Sequence, residues 1–249
     1  MSNDYFKFKQ FSVSHNLCAM KVNTDGVLLG AWVQPQQAKT ILDIGTGTGL
    51  IALMLAQKSE ATVEAIEIDR DAYLQASQNF SDSQWRERIM ARHIAFQDYY
   101  RSTTAKFDVI VSNPPFFSKS LKSTGKQKSI ARHNDSLPFE ELVAGSAKLL
   151  HENGQIYVIL PITELETFLS ISEKAGLCCY SRLLVKPRTD KPVTRVLMML
   201  KKINTDATGI HCKTDFTEPD LQTISIENFE PRTYTAEYKL LTKDYYLAF

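Results

Sequence analysis

Between residues 40 and 176 the chain keeps changing its hydrophobic period. TILDI (40–44), VEAIEI (63–68), IMARHI (89–94), FDVIVS (107–112) and GQIYVILP (154–161) are short apolar runs of strand type. Between and after them, LIALMLAQ (50–57), DAYLQASQNF (71–80), LPFEELVAGSAKLL (137–150) and ELETFLSISEKAG (164–176) have the length and spacing of helices. Asp69 or Asp71 suits the start of the second helix and Ser136 that of the third, while Gly176 suits the end of the fourth. A strand can reach a parallel neighbour only by crossing over a face of the sheet, so this alternation predicts an α/β, doubly wound and mostly parallel sheet covered on both sides. LCCYSRLLVK (177–186) and TRVLMMLKK (194–202) read as an antiparallel pair, and the tail ending YKLLTKDYYLAF as a last helix and strand. Residues 16–32 are apolar around a small polar cluster.

A chain of 249 residues suits one large domain or two small ones. With no repeat and no low-complexity linker, the expectation is one domain over 1–249, in which 1–38 extends over the pocket. Formal charge is +1, so any attraction to nucleic acid must be local. No apolar run approaches the ~20 residues of a membrane span, and MSNDYFKFKQF lacks the features of a signal peptide. Cys18, Cys178, Cys179 and Cys212 show no Cys-x-x-Cys spacing, which predicts reduced core thiols in a cytoplasmic protein and no metal site.

Ligands of parallel sheets bind beyond the carboxyl ends of the strands. Asp43 and Gly45 follow the first strand, Glu67 the second, Asp98 the third and Asn113 the fourth. DIGTGTG (43–49) supplies Gly45, Gly47 and Gly49, but position 50 is Leu where a G-x-G-x-x-G dinucleotide loop carries glycine, and no Gly-Lys-Ser/Thr follows. Asp43 would repel a pyrophosphate and favours a ligand with an ammonium group, a sulfonium and no phosphate, which is S-adenosylmethionine. Glu67 is placed to accept the ribose hydroxyls and Asp98 the adenine amine. FDVIVSNPPFF (107–117) then runs a strand into two prolines that cannot donate to a ladder. Alone, that is a rigid turn over a buried aromatic as readily as a site.

Together, DIGTGTG, EID (67–69) and NPPF (113–116) resemble the S-adenosylmethionine-dependent amino-methyltransferases with an N/D-P-P-Y/F/W signature. With KVNTDGVLLGAW (21–32), ARH (131–133) and PVTRVLMM (192–199), the chain resembles the bacterial tRNA1(Val) (adenine-37-N6)-methyltransferase family. The resemblance implies a Rossmann-like class I fold of seven strands with an antiparallel C-terminal hairpin, S-adenosylmethionine as cofactor, a tRNA anticodon loop as partner, and no stable protein partner. Carried onto this chain, the Asn113 side-chain carbonyl and the Pro114 carbonyl accept the two hydrogens of an amine, and Phe116 stacks on the base. Phe117 shares the stacking or packs beneath. Thr24 and Asp25 contact the methionine end of the donor or close over it. Two basic runs flank the site. Residues 117–134 hold Lys119, Lys122, Lys126, Lys128 and Arg132 without an acid, and 182–202 hold seven basic residues with only Asp190. Substrate contacts are expected from Lys21, Arg132, His133, Lys186, Arg188 and Arg195. Guanine of ribosomal RNA, DNA adenine and release-factor glutamine stay open as acceptors, as does a non-catalytic RNA-binding role.

Overall fold

In the computed structural model, which describes residues 4–35, 37–115, 137–203, 221–230 and 232–249, each apolar run joins one sheet. A two-stranded ribbon, β1 (Tyr5–Lys7) and β2 (Ser12–Ser14), precedes helix α1 (Thr24–Trp32). The alternating body follows: β3 (Thr40–Ile44), α2 (Leu50–Lys58), β4 (Thr62–Glu67), α3 (Arg70–Ser81), β5 (Ile89–His93), α4 (Phe96–Ser102) and β6 (Phe107–Ser112). Then come α5 (Phe139–Leu149), β7 (Leu150–Pro161), α6 (Leu165–Lys174), β8 (Leu177–Arg188), β9 (Arg195–Lys202), β10 (Leu221–Glu227) and α7 (Ala236–Thr242). The large sheet has the order β10-β8-β9-β7-β6-β3-β4-β5. Only β9 runs against its neighbours, β7 and β8; the other pairs are parallel.

The sheet has eight strands where seven were expected, because the tail contributes β10 beside β8, and it does so before its helix rather than after it. Residues 16–32 yield α1, whose N-cap Asn23 accepts from the Gly26 amide at 2.8 Å. At α3 the cap is Asp69, which accepts from the Ala72 amide at 2.8 Å. α5 instead starts after Pro138, which has no side-chain capping bond; Ser136 lies outside the described residues.

Side chains alternate across each strand and so divide the core in two. Ile41, Val109 and Val111 face the layer of α1, α2 and α3, with Leu28, Leu53 and Phe80. Leu42, Ile44 and Ile110 face α4, α5 and α6, with Phe96, Leu142 and Phe168. Each fully buried Leu or Phe contributes roughly 1.5–3 kcal/mol, so both layers hold the strands in register. The expectation of reduced thiols holds at Cys18 and Cys179, both free and buried, and fails at Cys178, which is disulfide-bonded. Neighbours on a strand point to opposite faces, so adjacency prevents neither from finding a distant partner. Cys212 lies outside the described residues.

Candidate active site

The parallel register Ile66–Ile44–Ser112 aligns the tips of β4, β3 and β6. The residues that follow meet around one cavity of about 410 Å³, lined by Gly45, Gly47, Glu67, Asn113, Pro114 and Pro115 among others. These come from three separate motifs of the sequence. Cys18, Met20, Ile68, Gln97 and Ser112 also line it; nothing in their residue types had singled them out.

The three glycines of the bend differ. All have left-handed backbones, φ +69° at Gly45, +57° at Gly47 and +83° at Gly49. A Cβ on Gly45 or Gly47 would meet nothing within 4 Å, and both border the cavity. A Cβ on Gly49 would lie 2.4 Å from Phe80 Cε1. Gly49 therefore serves the packing of α2 on α3, while Gly45 and Gly47 leave room for a ligand.

Two side chains brace the cavity. Glu67 accepts from the Gly47 amide through Oε2 at 2.8 Å, and from the Ile68 and Asp69 amides through Oε1 at 2.9 Å each, which ties the glycine bend to the tip of β4. The Ser112 hydroxyl donates to the Ile44 carbonyl at 3.0 Å, tying the tip of β6, and so Asn113, to β3. Cys18 is no nucleophile at neutral pH: burial, with Glu67, Asp69 and Asp71 nearby, pushes its thiol up to about 11.

Asp43 lies beneath the bend, fully buried, on the face of β3 toward α2. Thr46 Oγ1 donates to its Oδ2 at 2.6 Å, while Oδ1 is buried without a hydrogen bond of good geometry. Burial pushes the carboxyl up to about 7; Thr46 and the Ala52 amide pull down without reversing this, and Glu67 adds to the rise. Unfolded aspartates titrate near 4, so this raised value favours the folded state fully below about pH 4, and the contribution is lost as pH rises through about 7. Asp43→Asn is neutral throughout. Its thermal midpoint should gain on the native protein as pH rises from 5 to 8, by the equivalent of a few kcal/mol. Parallel midpoint curves would show that Asp43 does not titrate in this window.

Other expected residues fall elsewhere. Asp98 is exposed and does not border the cavity. α4 begins at Phe96, and the helical turn leaves Gln97 at the cavity and carries Asp98 away. Thr24 and Lys21 are exposed. Asp25 accepts from Arg195 Nε at 2.8 Å, so two residues assigned to different ligands hold one another. Arg195 pairs with Pro161 at the end of β7 and therefore sits at the same edge of the sheet as the cavity. On β8, Arg188 is bound to Asp190 and Lys186 is partly exposed. Phe116, Phe117, Arg132, His133 and the run 117–134 lie outside the described residues. Among those described, no group of three or more His, Cys, Asp or Glu is placed to hold a metal, and no helix is long and apolar enough to cross a membrane.

Residues 16–170 match the methyltransferase small domain family. A protein of Phocaeicola vulgatus named tRNA1(Val) (adenine(37)-N6)-methyltransferase is 45% identical over 248 residues, 99% of each chain. One of the same name from Parabacteroides distasonis is 41% identical over 247 residues, again 99% of each. Among solved structures, a predicted O-methyltransferase from Agrobacterium tumefaciens matches 89% of this chain and 96% of its own with a TM-score of 0.63; at 16% identity that likeness shows the fold alone.

Proposed function

Since the chain belongs to the tRNA1(Val) (adenine(37)-N6)-methyltransferase family, built on the methyltransferase small domain, we propose that it methylates the exocyclic N6 of adenine 37 in tRNA1(Val) with S-adenosylmethionine as donor. The observation that carries this reading is the single cavity shared by the glycine bend and Asn113-Pro114-Pro115. Its size lies in the range of small-ligand sites. The residues suit the donor. Gly45 and Gly47 leave space along the bend; Asp43 lies buried beneath it, outside the cavity lining, and favours a cation over a phosphate only in its ionised form. Glu67 binds three amides and keeps one acceptor site, on Oε2, for a hydroxyl donor.

When bound, S-adenosylmethionine supplies a methyl group on a positively charged sulfur. The protein's task is to present a nitrogen to it. An adenine amine is a weak nucleophile because its lone pair is delocalised into the ring. The Asn113 side-chain carbonyl accepts one amine hydrogen and the Pro114 main-chain carbonyl the other, which favours a pyramidal nitrogen with its lone pair toward the methyl. Pro114 and Pro115 fix the backbone, so the acceptor carbonyl cannot swing away. Phe116 offers a face to the unstacked base, returning roughly 1–3 kcal/mol toward the cost of extruding it. No side-chain base is required; orientation and fixed dipoles carry the step, and the proton leaves to solvent. Residues 1–38 belong to the same unit in this reading, supported by Cys18 and Met20 at the cavity and Val13 and Val27 in the core.

The test is to incubate the protein with labelled donor and small RNA from cells lacking it, then digest. N6-methyladenosine mapping to position 37 of tRNA1(Val) is expected. Label confined to protein or DNA, or none despite donor binding, would overturn the reading.

A further inference from the structure

On the same edge of the sheet as the cavity, but at its far end, one aromatic ring is held out to solvent. Phe229, two residues past β10, is 71% exposed. A lone exposed apolar residue is ordinary; this one sits in a tightly braced loop. The Asn228 amide donates to Thr233 O at 2.7 Å and Thr233 Oγ1 to Glu230 O at 2.6 Å. The Arg232 amide donates to Glu227 Oε1 at 3.1 Å, from a residue in the left-handed region at φ +66°. The Thr189 amide, from the loop after β8, donates to Glu227 O at 3.0 Å. One face of the ring is backed by the Arg188 guanidinium, 5.7 Å from the ring centroid. That guanidinium is fixed by Asp190, Nε to Oδ1 at 2.5 Å and Nη2 to Oδ2 at 2.8 Å. The ring thus stands on a hydrogen-bonded loop, with a guanidinium behind it and solvent in front.

β10 runs parallel to β8, so this loop leaves at the carboxyl edge of the sheet, where β3, β4 and β6 open into the cavity. Four strand steps separate β10 from β6, about 19 Å at ~4.8 Å per step. Two unstacked bases held at once across that distance need a polynucleotide, not a mononucleotide. Lys191 and Arg232 belong to the two loops at the ring, and Lys186 lies below, opposite Ser225 of β10. Of the acids there, Asp190 is paired with Arg188, while Glu227, which accepts only from the Arg232 backbone amide, and the exposed Glu230 keep their charges.

We propose that Phe229 is a stacking platform for a second unpaired base of the RNA substrate, engaged while the target base occupies the cavity. The inference rests on the function proposed above and adds a contact that fixes where the RNA lies. Phe229→Ala and Phe229→Trp, in the full chain, should be compared with the native protein for affinity to full-length tRNA1(Val) by fluorescence anisotropy and for donor affinity by calorimetry. Stacking of one base predicts that Phe229→Ala binds the tRNA roughly 5–150-fold more weakly, with donor affinity and thermal midpoint unchanged. Phe229→Trp should bind as the native protein does. If the native protein methylates the tRNA and Phe229→Ala binds it equally well, this inference fails alone. If the native protein neither binds nor methylates tRNA, the proposed function fails and the inference with it.

Discussion

Asn113→Ala is expected to lower kcat by roughly 10²–10³-fold while donor affinity stays within a few-fold of native. The site gives the acceptor nitrogen two oxygens, and the substitution removes the one that belongs to a side chain. The Pro114 carbonyl remains, since the prolines and the Ser112 hydroxyl on Ile44 O still hold the loop. The donor pocket remains too, because Gly45, Gly47 and Glu67 stand on other strands. Asn113→Asp keeps an acceptor oxygen at the same reach and should fall between the two. Single-turnover kinetics with saturating donor, beside a donor titration, separates these expectations. A folded Asn113→Ala protein that has lost donor binding, or one that turns over at the native rate, would contradict the role.

Gly49→Ala is expected to cost about 2–5 kcal/mol of stability, from a left-handed backbone worth roughly 1–2 kcal/mol and from crowding of Phe80 worth roughly 1–3 kcal/mol. Gly47→Ala carries only the backbone part, about 1–2 kcal/mol, because its Cβ meets no protein atom within 4 Å. Its larger effect should be on donor affinity. Denaturant titration and donor binding of the two variants should therefore rank them in opposite orders. Equal loss of stability in both would mean that the two glycines share one role.

How much of this was legible follows from the length and contrast of each signal. β3, β4, β6 and β7 are dense apolar runs with helices between them, and the rule that ligands meet strand ends then grouped Gly45, Gly47, Glu67 and Asn113. α1 was hidden because it is buried nearly all round, Gly26 to Ala31 without a break, so it has no polar stripe to mark a helical period. β1 and β2 are three residues each, too short for any period. β10 is half-exposed along its length and reads as an ordinary surface segment. At the site, Asp98 was chosen for its carboxylate, yet the abrupt start of α4 gives the position to Gln97. The Asp25–Arg195 pair joins residues 170 positions apart, and no local pattern announces such a contact.

The placement of β9 also sets an order of assembly. β7 is twelve residues long, and its partner on that side is made only after β8 has passed it by. During synthesis β3 to β7 can gather early, while β7 keeps an unpaired row of amides and carbonyls until Lys202 has left the ribosome. A chain halted before that point would offer this row to its neighbours, so truncation there should drive aggregation rather than leave a smaller working enzyme.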